Sequence, residues 1–155
     1  HIALYNSVID GRGPTLMNEA RSRYNSAVIS GTVMLLSDNF GPDCSKELAE
    51  NSIQRVREIT CNAKLNELAR SKVAFRPVEL GAETCPVYTA KIGGKYYAAF
   101  FNFRREPQTI SLEARRGGIP AIGKVTDLNY DIRWQYTSVL SVTLEPMDSA
   151  IVEIE

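Results

Sequence analysis

The sequence predicts an α+β chain, with helices around one short strand in the first 70 residues and an antiparallel β-sandwich after them. Three observations carry this reading. Apolar residues recur at three- and four-residue steps up to Arg70, the period changes to two beyond Phe75-Arg76-Pro77, and ten of the thirteen aromatic residues follow Ser71. A helix buries a stripe and a strand buries a face, so a change of period marks a change of element. Residues 1–70 are expected as one unit and 71–155 as a second.

The elements follow in order. Pro14-Thr15 opens the first helix with Thr15 near its cap and Glu19 in the first turns, where a negative charge suits the helix dipole. Leu16, Ala20, Tyr24, Ala27 and Val28 form its apolar face, Glu19, Arg21, Arg23 and Asn25 its polar one, and Gly31 ends it. Val33-Met34-Leu35-Leu36 is apolar at every position, the pattern of a strand covered on both sides. After the turn residues Ser37 to Pro42, Asp43 or Ser45 caps a second helix that turns Leu48, Ala49, Ile53 and Val56 inward. Helix, buried strand, loop, helix is a slice of a parallel α/β layer. A single such strand leaves backbone groups unpaired, so its sheet neighbours are missing.

A third helix is expected from Ala63 to Arg70, and then strands at Val87 to Ile92, Lys95 to Phe103, Thr109 to Ala114, Ile122 to Leu128, Ile132 to Tyr136, Ser138 to Leu144 and Ser149 to Ile154. Gly93-Gly94 signals a two-residue hairpin. Seven short strands with frequent turns predict a sandwich.

Composition narrows the function. Eighteen basic and eighteen acidic side chains cancel, so the basic footprint of a nucleic-acid binder is missing and no nucleic-acid partner is expected. No apolar run is longer than six residues, against the roughly 20 residues a membrane span needs, so no membrane partner is expected either. Positions 2 to 9 are too short and too polar for a signal-peptide core, and the compartment is not legible. With His1 in place of an initiator Met, the start reads as a processing site, a tag scar or an excision point.

The order of elements, together with Gly31-Thr-Val-Met-Leu-Leu-Ser-Asp-Asn39, the hairpin on Val87-Tyr88-Thr89 and Tyr97-Ala-Ala-Phe-Phe-Asn102, Thr126-Asp127-Leu128 and the closing Leu144-Glu-Pro-Met-Asp-Ser-Ala-Ile-Val152, resembles the C-terminal end of the alpha-galactosidase (melibiase) type glycoside hydrolases, the clan of families 27 and 36. Ser37-Asp38-Asn39-Phe40 matches in type the family's turn after the last barrel strand, with Asp and Asn exchanged. The resemblance implies that residues 1–70 are the helical end of a (β/α)8 barrel and 71–155 a terminal β-sandwich. It also implies that the catalytic aspartates lie on earlier barrel loops, upstream of this stretch.

No catalytic residue is therefore assigned, and neither a metal nor a cofactor is expected. Asp38 is the one candidate for contact with substrate, from the rim or from behind it, because it follows a parallel strand on the face where barrel enzymes keep their sites. A turn former is the competing role for Asp38, and a helix cap for Asp43, the one carboxyl close to it. His1, the single histidine, is terminal and gives no serine or cysteine a base. Cys44, Cys61 and Cys85 lack metal-ligand spacing and read as free, mostly buried thiols. Gly11-Arg12-Gly13 and Gly93-Gly94 are turns, and Arg104-Arg105 and Arg115-Arg116 are solvated edges.

On the aromatic strand, Tyr97, Ala99, Phe101 and Phe103 share one face and Tyr96, Ala98, Phe100 and Asn102 the other. Packing, within the sandwich or onto a neighbouring unit, competes with a sugar-stacking platform that would expose Tyr96, Phe100 or Trp134. The function expected is that of a non-catalytic C-terminal portion of a glycoside hydrolase, partnered by the rest of its barrel and meeting carbohydrate only through that parent. The alternative is an independent carbohydrate-binding or interaction module.

Overall fold

A computed structural model describes residues 1–5, 14–38, 40–41, 45–81 and 84–155. Helix α1 runs from Met17–Val28, and Ala20, Tyr24 and Val28, four residues apart, are buried along one stripe. Its N-cap is Leu16, without a side-chain cap bond. Thr15 instead gives its N–H to the Tyr5 carbonyl and accepts from Arg23 at its hydroxyl. That shift leaves Leu16, expected inward, 71% exposed. Gly31 follows the helix at φ +68°, where a Cβ would meet the Ala74 nitrogen at 2.6 Å, so both the turn and the passing chain demand glycine.

Helix α2 (Lys46–Thr60) is capped by Ser45, whose hydroxyl accepts from the Leu48 N–H at 3.2 Å. Ser52 and Ile59 are its buried residues, and Ile53, expected inward, is exposed. Helix α3 (Ala63–Arg70) is capped by Asn62 and buries Leu65 and Leu68.

Between α1 and α2 the strand expected at Val33 to Leu36 is reduced to a single bridge at Leu36, with Val33 to Leu35 outside any element, and that bridge is to a neighbour the sequence did not announce. Ile2 lies parallel to Leu36, giving its N–H to the Leu35 carbonyl at 2.7 Å and receiving the Ser37 N–H at 2.8 Å. The expectation of cover on both sides is not met. Val33 is 83% exposed, Leu35 50% and Leu36 43%, because the chain packs only part of the surface this segment presents.

The strands are β1 (Arg76–Pro77), β2 (Val87–Ile92), β3 (Lys95–Phe101), β4 (Gln108–Glu113), β5 (Ile122–Asp127), β6 (Arg133–Thr137), β7 (Val139–Leu144) and β8 (Ser149–Ile154), with a short helix α4 (Ala114–Gly117) after β4. They join in the order β1-β2-β3-β8-β5-β6-β7-β4, antiparallel throughout. β6 and β7 share only the pair Thr137↔Val139, around Ser138 at φ +61°. The ladder corners there. Six strands make one layer and β7–β4 the second, and Val87, Phe100, Val125 and Val152 meet Ile110, Leu112, Leu140 and Val142 between them.

The outer face of the larger layer is covered too. Tyr97, Ala99, Phe101 and Ile151 pack with Ala20, Tyr24, Val28, Leu65 and Leu68 of the helices. β3 is thus buried on both faces, and the neighbour anticipated for its second face is the helical layer of this same chain. β3 ends at Phe101 rather than Phe103 because the Asn102 amide donates to the Glu106, Glu145 and Leu144 carbonyls, which turns the chain.

Candidate functional site

The chemistry-bearing residues of the helical part gather where the two parallel segments end. Leu4 and Tyr5 leave the Ile2 segment, Asp38 leaves the Leu36 segment, and the buried Asp38 carboxylate accepts the Leu4 N–H at Oδ2 and the Tyr5 N–H at Oδ1, both at 2.8 Å. In a regular parallel ladder a strand carbonyl would take the Leu4 proton. The carboxylate extends the ladder by one side chain and fixes the direction in which the chain leaves Tyr5. A charged acceptor makes both bonds stronger than their neutral equivalents.

A second ring of contacts holds Tyr5 from behind. Its carbonyl takes the Thr15 N–H at 2.9 Å, the Thr15 carbonyl takes an Arg55 N–H at 2.8 Å, and the Arg55 guanidinium lies 5.5 Å from the centre of the Tyr5 ring. Arg23 binds Glu19 at 2.6 Å and the Ala3 carbonyl at 3.0 Å. Asp38 is therefore a buried side chain that positions the backbone at the mouth of these two segments.

The other sequence candidates are dispersed. Asp43, Cys44 and Gly11-Arg12-Gly13 lie outside the described residues. His1 is exposed, its Nδ1 3.2 Å from the Ser37 hydroxyl. Cys85 is buried but Cys61 is exposed, which corrects the expectation of mostly buried thiols: Cys61 ends α2, beyond the packed stripe. Gly93 and Gly94 both have positive φ and close the β2–β3 hairpin. Arg104 pairs with Glu106 and Arg116 with Glu79 in the open, as solvated edges do. Phe100 is fully buried, and Tyr96 and Trp134 are half-buried against the sandwich core, so none of them forms an open platform. Among the described residues no cluster of His, Cys, Asp and Glu is placed to hold a metal ion.

The sequence reading missed a polar seam between α1 and the sandwich. Arg21 Nη1 reaches both Asp148 oxygens, at 2.6 and 2.7 Å, and its guanidinium lies 4.9 Å from the Tyr130 ring centre. Asn25, assigned to a solvent face, is fully buried and donates to Ser149 and Asn129. Asp127 accepts the Asn129 and Tyr130 N–H groups at one oxygen. Burial pushes its carboxyl above the usual carboxylate range, against those two bonds and the pull of Arg21. The only local signal was the i, i+4 spacing of Arg21 and Asn25, which solvent-facing residues share.

No protein-family model matches the sequence, and no curated protein matches it. Solved structures do match its fold. Alpha-galactosidase I from Mortierella vinacea superposes with a TM-score of 0.72 at 10% identity, over 98% of this chain and 38% of that one. A GH27 β-L-arabinopyranosidase from Geobacillus stearothermophilus gives 0.72 at 17% identity, over 95% and 33%. The alpha-galactosidase of Saccharomyces cerevisiae gives 0.71 at 8% identity, over 94% and 45%. Nearly all of this chain is matched, and it spans less than half the length of each of those enzymes. This chain has the fold of the C-terminal part of the alpha-galactosidase type glycoside hydrolases.

Proposed function

We propose that this chain is the non-catalytic C-terminal portion of a glycoside hydrolase resembling the alpha-galactosidases. Residues 1–70 complete its (β/α)8 barrel, and 71–155 form a sandwich domain that packs against the barrel and stabilises it. The observation that carries this is the open edge of Val33 to Leu36. Leu35 and Ser37 use their inward groups on Ile2, while the N–H and C=O of Met34 and Leu36 have no partner among the described residues. An apolar segment paired in parallel on one edge and bare on the other supports this reading, because all-parallel sheets are covered on both faces and a bare apolar edge invites a further strand.

The parent enzyme would cleave terminal alpha-linked galactosyl or related sugars by a retaining double displacement. That chemistry needs two carboxyl groups about 5 Å apart, carried by loops of the earlier strands. Asp38 serves it from the rim, by fixing where the chain leaves Tyr5. Assay of a nitrophenyl α-galactoside tests this. The 155 residues alone should show no turnover, and the same chain joined to the polypeptide encoded directly before it should hydrolyse the substrate. Turnover by the chain alone, or an upstream polypeptide without strand–helix units, would overturn the proposal.

A further inference from the structure

A cavity of about 400 Å³ lies where the end of α1 meets the edge of β2 and β3. It sits at the end of α1 that leads into Val33, whereas Asp38 lies beyond the far end of that segment. Its floor is aromatic. Phe103 is 51% exposed, yet its ring lies parallel to that of Phe101, 6° apart with centroids at 6.0 Å, and Tyr88 braces Phe101 edge-on at 5.9 Å. The exposed ring is held in place by two buried or half-buried ones, so a ligand stacking on it orders little that is not already ordered.

Its rim is made of hydroxyls. Ser26 donates to the Arg23 carbonyl at 2.9 Å, which leaves its oxygen available as an acceptor, while Ser30 donates to the Ala27 carbonyl at 2.7 Å and its oxygen is taken up by the Thr32 hydroxyl and N–H at 2.9 and 3.4 Å. The Tyr88 hydroxyl has no partner among the described residues and can donate. No charged side chain lines the cavity, which disfavours a phosphate or carboxylate ligand.

We propose that this cavity binds one neutral pyranose ring. A pyranose has one face rich in C–H groups, whose partial positive charge suits the negative face of Phe103, and a rim of hydroxyls that can meet one acceptor, at Ser26, and one donor, at Tyr88. The volume falls within the range of small-molecule clefts, about 300–1,000 Å³. The site lies wholly within residues 26–103 and is independent of the activity proposed for the parent enzyme.

Methyl α-galactoside is the probe, titrated into the chain while the ring signals of Tyr88, Phe101 and Phe103 are followed by NMR. Saturable shifts confined to these rings are expected, with a dissociation constant in the millimolar range. Phe103→Ala should weaken binding about fivefold to tenfold, and Phe103→Trp, which keeps a stacking face, should retain it. Unchanged Trp134 and Tyr136 signals report that each variant keeps the sandwich. Absence of saturable shifts, equal binding by Phe103→Ala, or binding of benzyl alcohol without binding of the galactoside would overturn the proposal. The last result would mark a pocket for an apolar side chain instead.

Discussion

Val33 to Leu36 and β3 are both runs of apolar residues, and the molecule treats them in opposite ways. β3 pairs with β2 on one edge and β8 on the other, and its two faces belong to two different cores. Among the described residues Val33 to Leu36 has one parallel bridge, no partner on its other edge, and three exposed side chains. Both sequences are apolar enough for cover on two faces, but among the described residues only β3 has it. An apolar run records a capacity for burial, and what packs against it decides whether that capacity is filled.

Breaking the covered strand should cost most. Phe100 is fully buried between the two sandwich layers, so Phe100→Ala should lower stability by about 3–5 kcal/mol in urea unfolding. Next comes the seam that ties the helices to the sheet. Arg21→Met leaves the buried Asp148 carboxylate without its cation, and a loss of about 3 kcal/mol is expected. The loss should fall largely on the helices if the two parts unfold separately, which far-UV circular dichroism would register before the signal of Trp134.

Asp127→Asn should act in the other direction and by less. With its pKa raised by burial, native Asp127 keeps its proton to higher pH than the unfolded chain does. Native stability therefore falls as pH rises from the usual carboxylate range, about 3.9, through the raised value. Asparagine can accept the same two N–H groups without a charge. The variant should match the wild type in acid and exceed it at neutral pH, and parallel unfolding curves across that window check it. Val33→Ser, on the bare segment, should change stability by no more than about 0.5 kcal/mol in this chain.

What was legible in the sequence was local. The Gly93-Gly94 turn, the span of α3 and the bounds of β2 and β8 match the expectation because turn chemistry and caps act over a few residues. The Ile2 segment escaped because one turn of chain before Asn6 and Ser7 is too short to show a period. The seam escaped because Arg21 and Asp148, or Asn25 and Asn129, are more than a hundred residues apart, and polar residues four apart on a helix look the same facing solvent or facing a buried partner. Asp38 was legible as a residue at a strand end. That both of its oxygens hold the backbone of the neighbouring segment depends on the parallel bridge, which no local pattern encodes.

Amide hydrogen exchange at Met34 and Leu36, compared with Phe100, tests the central claim most directly. In the chain alone, Met34 and Leu36 should exchange at nearly unprotected rates while Phe100 opens only with the whole sandwich. Joined to the polypeptide encoded before it, the chain should protect Met34 and Leu36 by orders of magnitude. Full protection of these two amides in the chain alone, or no gain when the upstream polypeptide is present, would contradict the account.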